Sequence, residues 1–497
     1  MKETIFLTNE LKNLFSSGDF FSIAENIEGK IFRETANRIT KEFTFDGNRY
    51  FIKLHYGVGW KEIFKNIFKF RAPTVGAFPE WKALKKLRSL GIECPEPVGF
   101  YSTGINPANL KSFLITRSLI NTISLETALK KGKFQKLSFS DKREFIEKIA
   151  LISRNLHNSG INHRDYYLCH FHVDKDMDVK KSIYLIDLHR AQLRSFVPKR
   201  WASKDIGGLI HSAMGFDLSE KDFYRFMRTY LKCSTKEFFQ AHSRFLKNTR
   251  NRAFRMFMKP ILKDINIQDL KKENSSSSYI TGKEEGRRWI AKKPFFNEGI
   301  SEVIANPDEF MLKGEEIKFE AGNHVVGLDL PKHSIFIKKF QVKGLFHYLR
   351  KFFSPTRAIT AWKAIHWLNA AGIKTINPIG VIETYDSFTT TESYLITLKQ
   401  SGERLDQMKI TENLENLIPS KMRAFIKRLT WISFNHGDAK GSNFFLDKNS
   451  LIVSDLDASY KRYFQFTLTN KLAKDKKRIL RSFEGYPKVK ESLSRRF

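Results

Sequence analysis

Two carboxylates, Asp165 and Asp187, carry the chemistry that this sequence suggests. Asp165 lies in Ile161-Asn162-His163-Arg164-Asp165-Tyr166-Tyr167-Leu168-Cys169-His170-Phe171, and Asp187 closes the apolar run Ser182-Ile183-Tyr184-Leu185-Ile186-Asp187 about twenty residues later. His-Arg-Asp in a short loop, followed by an apolar strand ending in Asp, is the pattern of phosphoryl transfer. One carboxylate accepts or orients the proton of an attacking hydroxyl, and the other holds the Mg²⁺ that bridges the phosphates of ATP. The two tasks involve a proton and a cation, so they need two acids. His170 stands five residues after Asp165, where protein kinases have a second metal-binding Asn. An imidazole can ligate a metal, although Mg²⁺ prefers oxygen, and His170 is a candidate ligand on that ground. His163 reads as a structural residue that hydrogen-bonds the loop.

Such a loop needs a cation for the phosphates and elements to present it. Arg38 to Phe45 alternates, Asp46-Gly47 is a hairpin turn signal, and Arg49-Tyr50-Phe51-Ile52-Lys53-Leu54 returns. Lys53, near the end of that apolar strand, is the candidate for gripping the α- and β-phosphates. Pro79 starts a helix that Gly91 ends. Glu80, in its first turn, suits the helix N-terminus and is the candidate partner of Lys53. Pro95 and Pro97 lead into a strand at Val98-Gly99-Phe100, and Ser112 to Thr116 predicts another. Asp141 to His157 predicts a helix with Phe145, Ile149, Ile152 and Leu156 on one side, and Gly160 delivers the chain to the loop. Gly57 to Phe70 is a basic amphipathic segment with Trp60, Phe64, Ile67 and Phe68 on one face, suited to a membrane surface or to packing on the sheet.

With 497 residues the chain holds two or more domains. Its net charge of +33 implies an anionic partner: nucleic acid, an anionic membrane or a phosphorylated substrate. Cys94, Cys169 and Cys233 are widely spaced and give neither a metal pattern nor a disulfide framework, as expected of a reduced, cytosolic chain. No signal peptide is read at the N-terminus, and no stretch approaches the roughly 18 apolar residues that a membrane span needs. Residues 1–27 read as a leading helical segment with Leu11, Leu14 and Phe15 in a stripe, and 264–285, around Lys271 to Ser278, as a flexible linker. The segments Phe223 to Phe257 and Lys471 to Arg481 are helical in pattern and strongly basic. Each fits either a solvated face or an anionic lipid or phosphate surface.

The loop His163 to Phe171, Ile186-Asp187-Leu188-His189-Arg190-Ala191-Gln192, Gly57 to Phe64 and Arg200-Trp201-Ala202-Ser203-Lys204-Asp205 together resemble the lipopolysaccharide core heptose kinase family of WaaP type. The resemblance runs from about residue 28 to residue 245 with its motifs in order, and that family carries His at the position of His170. It implies a bilobal kinase-like fold, ATP as donor and a heptose of the inner core as acceptor. The acceptor would be carried on a lipid A-core lipopolysaccharide precursor at the cytoplasmic face of the inner membrane, with the enzyme peripheral on that anionic surface.

The second half repeats the first. Lys338 follows Lys53 by 285 residues, Gly372 follows Gly91 by 281, Asp438 follows Asp165 by 273 and Asp455 follows Asp187 by 268. An offset that shrinks steadily marks a diverged tandem copy. The loop here is Asn435-His436-Gly437-Asp438-Ala439-Lys440-Gly441-Ser442-Asn443, which resembles Kdo/InaA-type lipopolysaccharide kinases and aminoglycoside-type small-molecule kinases. Asp438 is then the candidate base, Asn443 and Asp455 the metal ligands, and Lys338 and Lys440 the phosphate-binding cations. Ala361 stands where Glu80 would be, so Lys338 needs another partner or this copy binds ATP weakly. Asp457 reads as a helix or turn acid. The expected fold is α+β, two tandem bilobal protein-kinase-like domains at 28–263 and 286–497. The expected activity is ATP- and Mg²⁺-dependent phosphorylation of core heptose, and of Kdo or a second heptose. One alternative is a single active kinase domain with a regulatory or substrate-docking pseudokinase. The other is an anionic-polymer-binding protein, against which no nucleic-acid-binding motif is found.

Overall fold

A computed structural model describes residues 3–16, 18–68, 75–216, 218–266, 278–284, 286–320, 323–341, 355–385, 390–462 and 464–497. The chain forms two compact units, Met1–Ala253 and Phe254–Phe497. The first therefore ends before the expected residue 263.

In the first unit Asp46 (φ 47°) and Gly47 (φ 71°) both take the left-handed conformation that a two-residue hairpin demands. They join β3 (Arg38–Phe45) to β4 (Asn48–His55). These strands lie in an antiparallel sheet with β1 (Glu3–Leu7), β2 (Lys30–Thr35), β5 (Pro97–Thr103) and β6 (Lys111–Arg117), in the order β1-β5-β6-β4-β3-β2. Side chains alternate between faces along a strand. Tyr50, Ile52 and Leu54 enter a core with Leu11, Val98, Phe113 and Ile115, and Lys53 falls on the opposite face. The helix Phe78–Ser89 buries Glu80, Ala83, Leu84 and Leu87, a helical spacing that carries the carboxylate inward with the apolar stripe.

The helix Phe139–Asn158 packs against Glu220–Leu231 through a second core that includes Phe145, Ile149, Leu156, Phe226 and Met227. Two short antiparallel pairs frame the loop: Ile161–Asn162 with Gln192–Leu193, and Phe171–Asp174 with Tyr184–Leu185.

Several expectations are corrected. The leading segment 1–27 opens as a strand, because the free edge of β5 offers backbone partners to Glu3–Leu7; its helical parts are a short 3-10 turn at Asn9–Leu11 and the α-helix Phe20–Asn26, capped by Asp19. The apolar run before Asp187 is strand only at Tyr184–Leu185, since Asp187 itself turns left-handed (φ 60°). Of the expected linker 264–285, residues 267–277 and 285 lie outside the described residues, whereas Tyr279–Glu284 is a strand (β7) paired with Arg287–Lys292 (β8).

The second unit's sheet adds β9 (Glu315–Glu320), β10 (Asn323–Asp329), β11 (Ser334–Gln341), β12 (Pro378–Tyr385) and β13 (Thr390–Leu398), in the order β7-β8-β12-β13-β11-β10-β9. The run β9-β10-β11-β13-β12 follows the same order as β2-β3-β4-β6-β5. The helix Arg357–Ala370 connects β11 to β12, as Phe78–Ser89 connects β4 to β5. The core here includes Trp289, Ile335, Ile337, Ile382, Tyr394 and Ile396. Among the described residues, no helix is long and apolar enough to cross a membrane.

Candidate functional site

The loop that carries Asp165 is fixed from below by a buried acid. Asp205, on the helix Lys199–Ala213, is 1 % exposed and accepts from the backbone N–H of His163 (2.6 Å) and of Arg164 (3.0 Å). This grip holds Arg164 in a left-handed conformation (φ 73°) that a side chain rarely adopts. His163 Nε2 donates to the Ile186 carbonyl (3.0 Å), tying the loop to the turn that bears Asp187. Burial lowers the His163 pKa, so the imidazole stays neutral and keeps one N–H for this bond. Asp165 itself is gripped by Arg190, whose Nη1 lies 2.8 and 3.1 Å from the two carboxylate oxygens.

His170 Nδ1 donates to the Asp165 carbonyl (2.6 Å). Its Nε2 lies 3.7 Å from Asp187 Oδ2. A ring nitrogen and a carboxylate oxygen thus converge on one spot. Among the described residues no group of three or more His, Cys, Asp or Glu is set to hold a metal. The arrangement fits a cation that takes most of its ligands from phosphate and water, as Mg²⁺ does, and not a cation caged by protein.

Lys53 reaches from β4 to Glu80 Oε1 (2.6 Å) and to Asp187 Oδ1 (3.2 Å). Burial disfavours its charge, but the two carboxylates outweigh it and hold the ammonium above the ordinary lysine range. Burial likewise works against the Asp187 charge. His189 Nδ1 at 2.8 Å, Lys53 and His170 reverse that and keep the carboxyl well below the usual range, hence ionised. Two residues along the strand from Lys53, the buried imidazole of His55 is pushed down to about 3 by burial and by the cations Arg38 and Lys53.

The second unit builds the same loop from different side chains. Asp475 accepts from His436 N–H (2.9 Å) and Gly437 N–H (3.0 Å), and His436 Nε2 donates to Ser454 O (3.1 Å). Gly437 takes the position of Arg164 and also has positive φ (93°); a Cβ there would run into the Ala458 carbonyl. Asn443 Nδ2 donates to the Asp438 carbonyl (2.8 Å), the bond that His170 makes in the first unit. Lys440 Nζ lies 3.2 Å from Asp438 Oδ2, and Arg478 lies 3.8 Å from its other oxygen. Asp455 is left-handed like Asp187 (φ 53°) and meets Lys338 Nζ at 2.5 Å. Asp457, expected to be an ordinary helix or turn acid, does lie in a turn, but its side chain is 6 % exposed and is paired with Arg357.

The structure thus brings together Lys53, Glu80, Asp187 and His170 in the first unit, and Lys338 with Asp455 and Asp438 with Asn443 and Lys440 in the second. Sequence reasoning gave no role to Asp205, Arg190 or His189, although all three lie inside the motif stretches it quoted. Asp475, inside the basic run Lys471 to Arg481, was hidden among lysines.

Residues 24–230 match the model of the lipopolysaccharide kinase (Kdo/WaaP) family. The chain is 36 % identical over 262 residues to the lipopolysaccharide core heptose(I) kinase WaaP of Escherichia coli, an alignment covering 52 % of this chain and 99 % of that protein. It is 34 % identical over 256 residues to the WaaP of Pseudomonas aeruginosa, covering 51 % and 96 %. A solved structure of WaaP in complex with acyl carrier protein aligns with 51 % of this chain and 99 % of that one at 30 % identity and a TM-score of 0.45. With nearly the whole of an Escherichia coli relative matched at this identity, the chain belongs to the lipopolysaccharide kinase (Kdo/WaaP) family.

Proposed function

We propose that the chain is two tandem bilobal protein-kinase-like domains, each phosphorylating a sugar hydroxyl of the lipopolysaccharide inner core from ATP. The first unit, an ATP-dependent sugar kinase, acts on a core heptose, and the second acts on Kdo or another heptose. The observation that carries this is the chain Glu80–Lys53–Asp187, with 2.6 and 3.2 Å contacts along it, together with His170, which bonds the Asp165 carbonyl and lies 3.7 Å from Asp187. In this reading Asp165 takes or orients the hydroxyl proton, with its carboxylate aimed by Arg190. Lys53, held by Glu80, meets the α- and β-phosphates. Asp187 and His170 would hold Mg²⁺, which would supply charge neutralisation for the transferring phosphoryl group. Catalysis then comes from positioning and preset charge. In the second unit Asp438, Lys338, Lys440, Asn443 and Asp455 take the corresponding roles. The acceptor is a lipid A-core precursor met at the cytoplasmic face of the inner membrane, and nucleic acid is not an expected partner.

A second reading makes the second unit a regulatory or docking module, and Ala361 in place of a helix carboxylate favours it. Mass spectrometry of the lipopolysaccharide core from cells carrying Asp165→Ala or Asp438→Ala separates the two. Loss of a different phosphate in each variant is the expected result. Loss in Asp165→Ala alone makes the second unit a scaffold, and no loss in either sinks the proposal.

A further inference from the structure

The second unit has no carboxylate on the helix that carries Glu80 in the first. Ala361, 2 % exposed, occupies that position. Lys338 nevertheless meets two acids: its Nζ lies 2.5 Å from Asp455 Oδ1 and 3.5 Å from Asp457 Oδ2. Asp457 stands two residues past Asp455, at the position that His189 holds relative to Asp187. Its Oδ2 also accepts from Arg357 Nη2, and Arg357 is the first residue of the very helix that lacks the acid. The charges have changed places. In the first unit the helix contributes the anion and the turn an imidazole. In the second the helix contributes a cation and the turn the anion. Two carboxylates surround the lysine in both.

A single aspartate cannot serve both ends of such a site. Once its oxygens are drawn to a divalent cation, Asp455 no longer neutralises Lys338, and a second carboxylate must hold the ammonium in place. Asp457 is suited to that task and poorly suited to ligating the cation. It is 6 % exposed and already bound to a guanidinium, and the exposed oxygens of the pocket belong to Asp455, at 28 %. The Phe340 ring fixes the geometry, with Lys338 Nζ 4.9 Å and the Arg357 guanidinium 5.0 Å from its centre. We propose that Asp457 is the positioning residue for Lys338 in a nucleoside-triphosphate site of the second unit, with Arg357 as its counter-ion. This rests on reading the second unit as a nucleotide-binding domain.

The test uses the full chain with the first pocket disabled by Lys53→Met and Asp187→Asn, titrated with a fluorescent ATP analogue and Mg²⁺. The disabled parent binds one nucleotide per chain. Asp457→Asn weakens binding by about tenfold or more, roughly as Lys338→Met does, and the double variant is no weaker than either single one. That non-additivity is the signature of a residue acting through the lysine. A parent that binds no nucleotide overturns the reading of the second unit itself. A parent that binds, with Asp457→Asn unchanged or with losses that add, overturns the assignment of Asp457 and leaves that reading standing. Thermal melting is recorded for each variant, and Asp457→Ser replaces the amide in the same cycle if Asp457→Asn unfolds the unit.

Discussion

Lys53 sits between two carboxylates because strand alternation turns it away from Ile52 and Leu54 while a helical stripe carries Glu80 inward. Glu80→Gln keeps the shape and removes the charge, leaving Lys53 to Asp187 alone. A charge-assisted hydrogen bond is worth about 1.5–3 kcal/mol, so kcat/KM for ATP is expected to fall about 10- to 100-fold in steady-state assays; an unchanged value would remove Glu80 from the site. Asp165→Asn removes the proposed base and is expected to lower kcat about 100-fold or more, with the KM for ATP nearly unchanged. At the same scale, His55 is pushed down to about 3 and His366 to about 4, in both cases chiefly by burial. The unfolded chain takes up these protons as pH falls through 6.5, while the native protein does not. Their stabilisation is therefore complete above that value and is lost on the way down to pH 4 and 3, with a slope of up to about 1.4 kcal/mol per pH unit for each group. Melting followed from pH 7.5 to 5 should show this decline, and His55→Gln should flatten it. These site residues were legible because lysine, acid and loop each carry a local signal. The histidines were not, since nothing local distinguishes a buried imidazole from an exposed one.

At the scale of elements, each candidate loop hangs from an acid on a following helix, Asp205 or Asp475. Replacing Asp205 by Ala leaves two buried backbone N–H groups without an acceptor. Leaving one such group unsatisfied costs about 1–3 kcal/mol. Calorimetry should show a lower melting temperature together with loss of first-unit phosphorylation. Asp475→Ala should do the same to the second unit's product and leave the first unit's product intact. The helices and the Asp46-Gly47 hairpin were legible because caps, proline, glycine and periodicity are encoded within each element. The strand at Glu3–Leu7 was not, because it exists only by pairing with β5, nearly a hundred residues on.

At the scale of the whole molecule, the proposed membrane contact draws on the charge of +33 and on several exposed aromatic residues in each unit. Trp60, Phe64 and Phe68 are exposed at helical spacing on Gly59–Phe68. Phe464 and Phe466 are each 76 % exposed at the start of the basic helix Gln465–Arg481. Co-sedimentation with vesicles containing anionic lipid is expected, falling as salt rises from about 0.1 to about 0.5 M because the Debye length shrinks. Phe64→Asp should weaken it further. Binding that is indifferent to both salt and lipid charge would contradict the proposed contact with an anionic membrane.

By itself the sequence determined the two loops, the candidate lysines and acids and their shared order in the two halves, because these depend on residue types at fixed short spacings and on order along the chain. Five strands of each sheet also follow the same order. Beyond the Lys53–Glu80 pair, only the tertiary structure decided which charges meet. Arg190 aims Asp165, Asp205 and Asp475 anchor the loops, and Arg357 and Asp457 exchange the roles of helix and turn around Lys338. Such pairings join residues 25 to 119 positions apart, and electrostatic complementarity depends on distance in space, which no local pattern in a sequence records.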